Sequence, residues 1–239
     1  MSLSRDLVDG TIAAIDAANP LTTQLDEPLV SAMDGSSVGA HRLLAGDGIS
    51  LVYVGMTVEA FGLDSHMLFA FTAPDSAVPH FTLDSVLAGP HYAFHLDLIP
   101  RVDPGANLAY LDHCFAPLDE AHAAAAEIDG LTPAHLAPRQ WQLMSAWMLA
   151  HRADADAFAS INPLVDAYRD HWLGLVESGV PDGVVPEGTD LAARDDANRA
   201  AIFNPAVDPV WGRVDQLLGP DVSTRIQVSL RMAGRDEAL

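Results

Sequence analysis

Between Gly39 and Arg101 the chain offers one β-rich segment after another with very short links, and this limits the sheet it can build. The segments run around His41–Leu44, Ile49–Phe61, Ser65–Thr72, Pro79–Leu87 and His91–Ile99. Between them lie Ala45-Gly46-Asp47-Gly48, Gly62, Ala73-Pro74-Asp75-Ser76 and Gly89-Pro90, all of them turn-forming. A parallel pair needs a crossover of a dozen or more residues, which these links do not supply. Consecutive strands are therefore expected to pair antiparallel, as a meander.

Helical signals flank this block. An opening helix is expected from about Ser4 to Ala18, with Ala13, Ala14, Ile15 and Ala17 as apolar surface and Asn19-Pro20 as its stop. From Asn107 onward the pattern turns helical. Trp141, Met144, Trp147 and Met148 share one face of a helix expected to start after Pro138. Asn162-Pro163 suits an N-cap followed by proline, ahead of Leu164, Tyr168, Trp172 and Leu175–Val176 at helical spacing. The segment from Gly179 to Gly188 is a Pro- and Gly-punctuated loop. Asp208-Pro209 starts a further helix with Val210, Val214, Leu217 and Leu218 on one face, closed by Gly219. Asp221 is expected to cap a last helix carrying Val222, Ile226 and Leu230. Strands followed by helices, with one helix in front, predict an α+β layer fold.

Composition narrows what such a fold can do. At 239 residues and 49% hydrophobic, the chain can bury a substantial core. The net charge is −21, and all 12 basic residues are arginine. Nucleic acid and anionic membranes are poor partners for such a surface. The few arginines are instead suited to fixed tasks such as gripping a carboxylate. The single cysteine, Cys114, excludes an internal disulfide and fits a reducing cytosol. No signal peptide is visible, and the longest apolar stretch, Ile49–Leu63, is too short to span a bilayer. The expectation is a soluble, cytoplasmic protein.

Alternation along the central strands separates apolar from ionisable sides. Phe81, Leu83 and Leu87 oppose His80, Thr82 and Asp84; Tyr92, Phe94, Leu96 and Leu98 oppose His91, Ala93, His95 and Asp97. Met67, Phe69 and Phe71 oppose His66, Leu68 and Ala70. The polar sides suit either the wall of a wet cavity or a solvent-facing sheet surface. Asp84 lies in the middle of an otherwise apolar strand, where an isolated carboxylate is costly. It needs a strong partner or a cavity in which its proton is used.

The residues around Asp84 also carry a likeness. Pro79-His80-Phe81-Thr82-Leu83-Asp84, followed by Asp97-Leu98-Ile99-Pro100-Arg101, resembles the ferredoxin-dependent bilin reductases and their relative, red chlorophyll catabolite reductase. The resemblance implies one domain over residues 1–239, a three-layer α/β/α sandwich with a central antiparallel sheet. It implies reduction of a linear tetrapyrrole held between the sheet and the C-terminal helices. No cofactor is bound in that family; electrons come singly from a ferredoxin or a similar small redox protein such as a flavodoxin. Holding a bilin without reducing it is the alternative on the same fold.

The resemblance assigns roles residue by residue. Asp84 becomes the proton donor to the pigment, in place of a structural carboxylate paired with arginine. His66 falls where bilin reductases carry a catalytic histidine, although its spacing to Asp84 is one residue longer than in that family. A hydrogen-bonded strand histidine is the other reading. Asp208, eleven positions before Gly219, resembles a second pocket acid, with Val207 where the family has asparagine. It equally suits a helix N-cap. Leu217-Leu218-Gly219-Pro220-Asp221-Val222 resembles the tail of red chlorophyll catabolite reductase. Arg152 falls where an arginine holds a propionate, with Arg139 as a second candidate and His80 as a further ligand contact. Asp97 belongs to a part of the motif that looks like scaffold. Plant-type ferredoxins are acidic, so docking one here requires a local arginine patch.

Competing chemistries find less support. His91 and His95 share a strand side but stand about 13 Å apart at the usual rise, too far for one metal ion. No His-Glu-x-x-His or Cys-x-x-Cys pair occurs. There is no Gly-rich phosphate loop and hence no sign of a dinucleotide domain. Cys114 reads as a buried thiol.

Overall fold

A computed structural model of the chain describes residues 2–235. Its centre is an eight-stranded sheet, antiparallel throughout, in the order β1-β2-β3-β4-β5-β6-β8-β7. The strands are β1 (Thr22–Val30), β2 (Ser37–Gly46), β3 (Ile49–Val58), β4 (Leu63–Thr72), β5 (His80–Ala88), β6 (His91–Ile99), β7 (Thr132–Pro133) and β8 (Leu149–Ala153). The expected meander is β2 to β6. The edge strand β1 was not legible: most of it is solvent-facing, and Pro28 interrupts its pattern.

Helices cover both faces, giving the three layers. One core joins Leu51, Leu68, Phe81, Leu83, Phe94 and Leu96 of the sheet to α1 (Leu3–Ala18) and α6 (Asn162–Ser178). Helix α1 buries Leu7, Val8, Thr11 and Ile15, and the Ser2 hydroxyl caps it by accepting from Arg5 N. Helix α6 buries Leu164, Val165, Tyr168, Trp172 and Leu175, and Trp172 Nε1 donates to Pro79 O at 2.9 Å. The short helices α2 (Leu108–Cys114), α3 (Asp119–Ala124) and α5 (Ala155–Ala159) pack on the same side. Cys114 is fully buried there, its thiol pushed up to about 12 by that burial. Val180, Val184 and Val185 of the Gly179–Gly188 loop pack against this core too.

The second core lies on the other face. Val52, Val54, Phe69, Phe71 and Ile99 meet Ile202 and Phe203 at the end of α7 (Leu191–Ile202). Helices α8 (Val210–Leu218) and α9 (Pro220–Met232) add Trp211, Val214, Leu218, Ile226 and Leu230.

Four expectations about local structure need correction. The helix after Pro138 is only α4 (Pro138–Trp141). Its predicted continuation is a turn followed by β8, because Ser145 is pulled to the sheet by Asp97. Helix α6 begins at Asn162 itself, with Ile161 as cap. Trp211 rather than Val210 is buried on α8. Helix α9 begins at Pro220, so Gly219 is its cap and Asp221 lies in the first turn. Gly219, at φ 85°, ends α8 as expected.

Candidate active site

The sheet register builds the site. Met67, Asp84, His95 and Ala150 lie directly opposite one another across β4, β5, β6 and β8. Residues so paired share a face. Phe69, Thr82 and Asp97 form the next row on that face. Ser65, Val86, Ala93 and Arg152 form the row on the other side of Asp84. Met67, Asp84 and His95 of the first row floor a cavity of about 230 Å³ between the sheet and the C-terminal helices.

Its walls are mainly apolar. Val54, Met56, Met67 and Phe69 come from the sheet. Leu136, Leu143, Met144 and Met148 come from the segment around α4, and Phe203, Val207, Val210, Trp211 and Val214 from the C-terminal layer. Four of the seven methionines of the chain therefore line one cavity, and unbranched thioether side chains let its walls repack around different shapes.

Against these walls stand three ionisable groups: Asp84, His95 and Asp208. His95 Nδ1 lies 3.4 Å from Asp84 Oδ2. Asp84 Oδ1, His95 Nε2 and Thr82 Oγ1 are buried without a hydrogen-bond partner among the described residues. Buried polar atoms are nearly always paired, so the two orphans that line the cavity, Asp84 Oδ1 and His95 Nε2, are free to meet a ligand. The arginine partner that the structural alternative for Asp84 requires is not found among the described residues; its neighbour is the histidine.

Charge is distributed unevenly in this cluster. Burial disfavours a charged His95, yet the hydrogen bond and charge of Asp84, with the charges of Asp97 and Asp208, outweigh it and raise the His95 pKa. Asp208 enters from the loop before α8, and its Oδ1 accepts from Val210 N at 3.0 Å. Burial and the negative charge of Asp84 raise its pKa, against the Val210 N–H, His95 and Arg213. Asp208 thus holds the first backbone N–H of α8 and lines the cavity at once, while the N-cap position itself is Pro209 and not Asp208.

Asp97 is scaffold. Its buried carboxylate accepts from Ser145 N at 2.9 Å and Ser145 Oγ at 2.5 Å, which straps the Met144–Met148 wall to the sheet. Burial, opposed by His95 and the Ser145 bonds, pushes its pKa up to about 6.

His66 is not in this site. It pairs with Ser85 and so points to the opposite face of the sheet. There its Nε2 lies 3.0 Å from Asp64 Oδ1 and its Nδ1 2.8 Å from the Tyr53 hydroxyl. Ser2 Oγ and Thr57 Oγ1 donate to the same Asp64 carboxylate. The register of β4 against β5 sets this: His66 is one position out of line with Asp84, and so on the other face.

His80 shares the face of Asp84 but is sealed away from the cavity. Its Nδ1 accepts from Thr72 N at 3.1 Å, which puts the ring proton on Nε2, and Nε2 donates to Asp195 Oδ1 at 2.7 Å. Asp195 also receives Arg199 Nε at 3.0 Å and Arg235 Nη2 at 2.7 Å, with Arg101 Nη2 at 3.6 Å. Arg101 further donates to the carbonyls of Ala73 and Pro74, the kind of fixed task expected of an arginine here. His80 is therefore a structural residue, not a ligand contact.

Of the two arginines, Arg152 is exposed on the outer row of the cavity face, opposite Ala93. Arg139 is exposed at the rim, where Nη1 donates to Ala206 O at 3.1 Å and ties α4 to the loop carrying Asp208.

His95 was not singled out from the sequence, although a signal existed. Counting back equally on both sides of a two-residue turn at Gly89-Pro90 sets His95 opposite Asp84. Among the described residues no cluster of three or more His, Cys, Asp or Glu has the geometry of a metal site. No helix of the described residues is long and apolar enough to cross a membrane.

No family model matches the chain, and no curated protein matches it in sequence. Among solved structures it is similar to phytochromobilin synthase from tomato, in a complex with biliverdin. The TM-score is 0.76 at 15% identity, over 98% of this chain and 84% of that one. At this identity the likeness is one of fold, and it bears out the α/β/α sandwich with its central antiparallel sheet.

Proposed function

We propose that this protein is a reductase of a linear tetrapyrrole, which it holds between the sheet and the C-terminal helices. The observation that carries the reading is the pair of unpartnered polar atoms, Asp84 Oδ1 and His95 Nε2, on the floor of a largely apolar cavity. A flat, largely apolar pigment with N–H donors and carbonyl acceptors along one edge matches that surface. The shared fold with a protein solved with biliverdin supports the same ligand class.

At about 230 Å³ the cavity is smaller than most small-molecule sites, which run from roughly 300 to 1,000 Å³. A four-ring pigment fills it, displaces the methionine walls and extends over the outer row toward Arg152. A propionate there meets a guanidinium, a strong pairing. The reaction adds two electrons and two protons to one double bond of the pigment. The electrons arrive singly from an external ferredoxin or flavodoxin, with no bound cofactor, and the protons come from the Asp84–His95–Asp208 cluster.

A net charge of −21 favours a second reading, a bilin-binding protein without reductase activity, since an acidic donor is repelled by such a surface. Two measurements separate the readings. Biliverdin titrated into the protein is expected to change its visible spectrum saturably, and reduced ferredoxin is then expected to bleach or shift the bound band. Binding without reduction by any one-electron donor leaves the second reading. An unchanged spectrum at saturating biliverdin removes both.

A further inference from the structure

We propose that His95 is the catalytic residue that hands the proton to the bound pigment through Nε2, and that Asp84 is a positioning residue acting through it. This rests on the pocket holding a reducible open-chain tetrapyrrole. The resemblance around Asp84 points to the carboxylate itself as donor; the geometry divides the work differently. Asp84 Oδ2 is engaged with His95 Nδ1 at 3.4 Å, a long bond of the kind that tightens when a ligand closes the site. That contact anchors one ring nitrogen and leaves the other, Nε2, buried and unpartnered. A ring held by Nδ1 with Nε2 free is oriented for transfer at Nε2.

The surroundings favour a protonated ring. Asp84 on β5, Asp97 on β6 itself and Asp208 across the cavity all bear on His95, and the opposing β8 residue, Ala150, is uncharged. The charge of Arg213 bears on Asp208. Together these carboxylates raise the His95 pKa against the effect of burial.

One electron from a reduced iron–sulfur protein or flavodoxin converts the pigment to its radical anion. The Nε2–H bond of the imidazolium breaks, and a C–H or N–H bond forms on the pigment. His95 is left as neutral imidazole, its Nδ1–H still on Asp84. The imidazole takes a proton from solvent, and a second electron and proton complete the reduction.

Single-turnover reduction of bound biliverdin across pH tests this, with the spectrum of the bound pigment and circular dichroism verifying binding and folding. His95→Gln is expected to bind pigment, slow turnover by about 10²-fold or more and accumulate a radical detectable by electron paramagnetic resonance. In the parent protein the rate is expected to fall as pH rises through a pKa above 6.5. Asp84→Asn removes the charge that holds this pKa up, so the break is expected to move to lower pH while activity survives below it. If Asp84→Asn is inactive at every pH and His95→Gln turns over normally, the carboxylate is the donor and this assignment falls while the reductase reading stands. A parent protein that binds no biliverdin overturns both.

Discussion

His80 Nε2 donates to Asp195 Oδ1 at 2.7 Å, joining residues 115 positions apart with both side chains fully buried. Burial, opposed by this bond and aided by the charges of Arg101 and Arg199, pushes the His80 pKa from 6.5 down to about 3. Between those values the unfolded chain binds a proton that the folded chain refuses, so stability falls as pH drops. Asp195 adds to the loss: burial works against it, but His80 and the arginines lower its pKa, so its contribution is present above 3.8 and fades below. Asp97, raised to about 6, has the opposite sign and softens the decline between about 6 and 3.8. The melting temperature is therefore expected to fall below pH 6.5, most steeply below about pH 4. His80→Gln keeps a donor and an acceptor without the titration, so as pH drops below 6.5 its melting temperature should not fall as the parent's does, and between about 6 and 3.8 the uncompensated Asp97 should hold it level or raise it. A curve parallel to that of the parent protein would clear His80 of this role.

Asp97→Ala tests the strap. Both Ser145 bonds are lost, at a cost of about 1–3 kcal/mol, and the Met144–Met148 wall is released from the sheet. Pigment affinity and melting temperature should drop together. Ser145→Ala keeps the backbone bond to Asp97 and should produce a smaller version of both effects. Lost stability with unaltered affinity would mean that the wall does not depend on the strap.

How much of this site was legible depended on how each strand pair is connected. The β5–β6 hairpin turns over two residues, so its register follows from counting, and Asp84, His95 and the two faces are recoverable. The β4–β5 connection from Ala73 to Pro79 is too long for counting. The pairing of Met67 with Asp84, and thus the face of His66, could not be read from spacing alone. His80 has the same pattern as Asp84 on its strand, and only the distant Asp195 decides that it is structural. The helix expected through Met148 failed for a similar reason: periodicity is local, while the Asp97–Ser145 strap that breaks it spans 48 positions.

Arg152→Ala should discriminate between an acid and its ester. As the exposed arginine on the outer row, Arg152 can reach only the part of a pigment lying beyond the cavity. Its contact with a propionate belongs at the low end of charge-assisted pairs, about tenfold in affinity. Biliverdin should lose about that much on substitution, and biliverdin dimethyl ester nearly nothing. Equal losses for both, in parallel titrations, would mean that Arg152 acts on the fold and not on a carboxylate.

The surface charge predicts how a donor arrives. At a net charge of −21, approach of an acidic ferredoxin is opposed, and added salt screens the repulsion. Stopped-flow association or reduction rates should therefore rise between low ionic strength and about 0.2 M, where the screening length is below 10 Å. Rates that fall with salt would point to an attractive local patch of arginines at the docking site.

The last expectation concerns His66, which the resemblance puts in the catalytic apparatus and the sheet register puts on the other face. Its partners are Tyr53 and Asp64, and Gly55 makes room for them: a Cβ at that position would lie 2.0 Å from the Tyr53 hydroxyl and 2.9 Å from His66 Nδ1. His66→Ala leaves the Tyr53 hydroxyl and one bonding position of Asp64 unpaired in a buried setting, a loss of about 1–3 kcal/mol. Gly55→Ala should destabilise by a comparable amount through overpacking. Neither change touches the cavity. Both variants should unfold at lower denaturant concentration, yet bind pigment and turn it over at the parent rate wherever they are fully folded. If His66→Ala slows single-turnover reduction as much as His95→Gln does, the register of β4 against β5 is wrong, and with it the cavity floor.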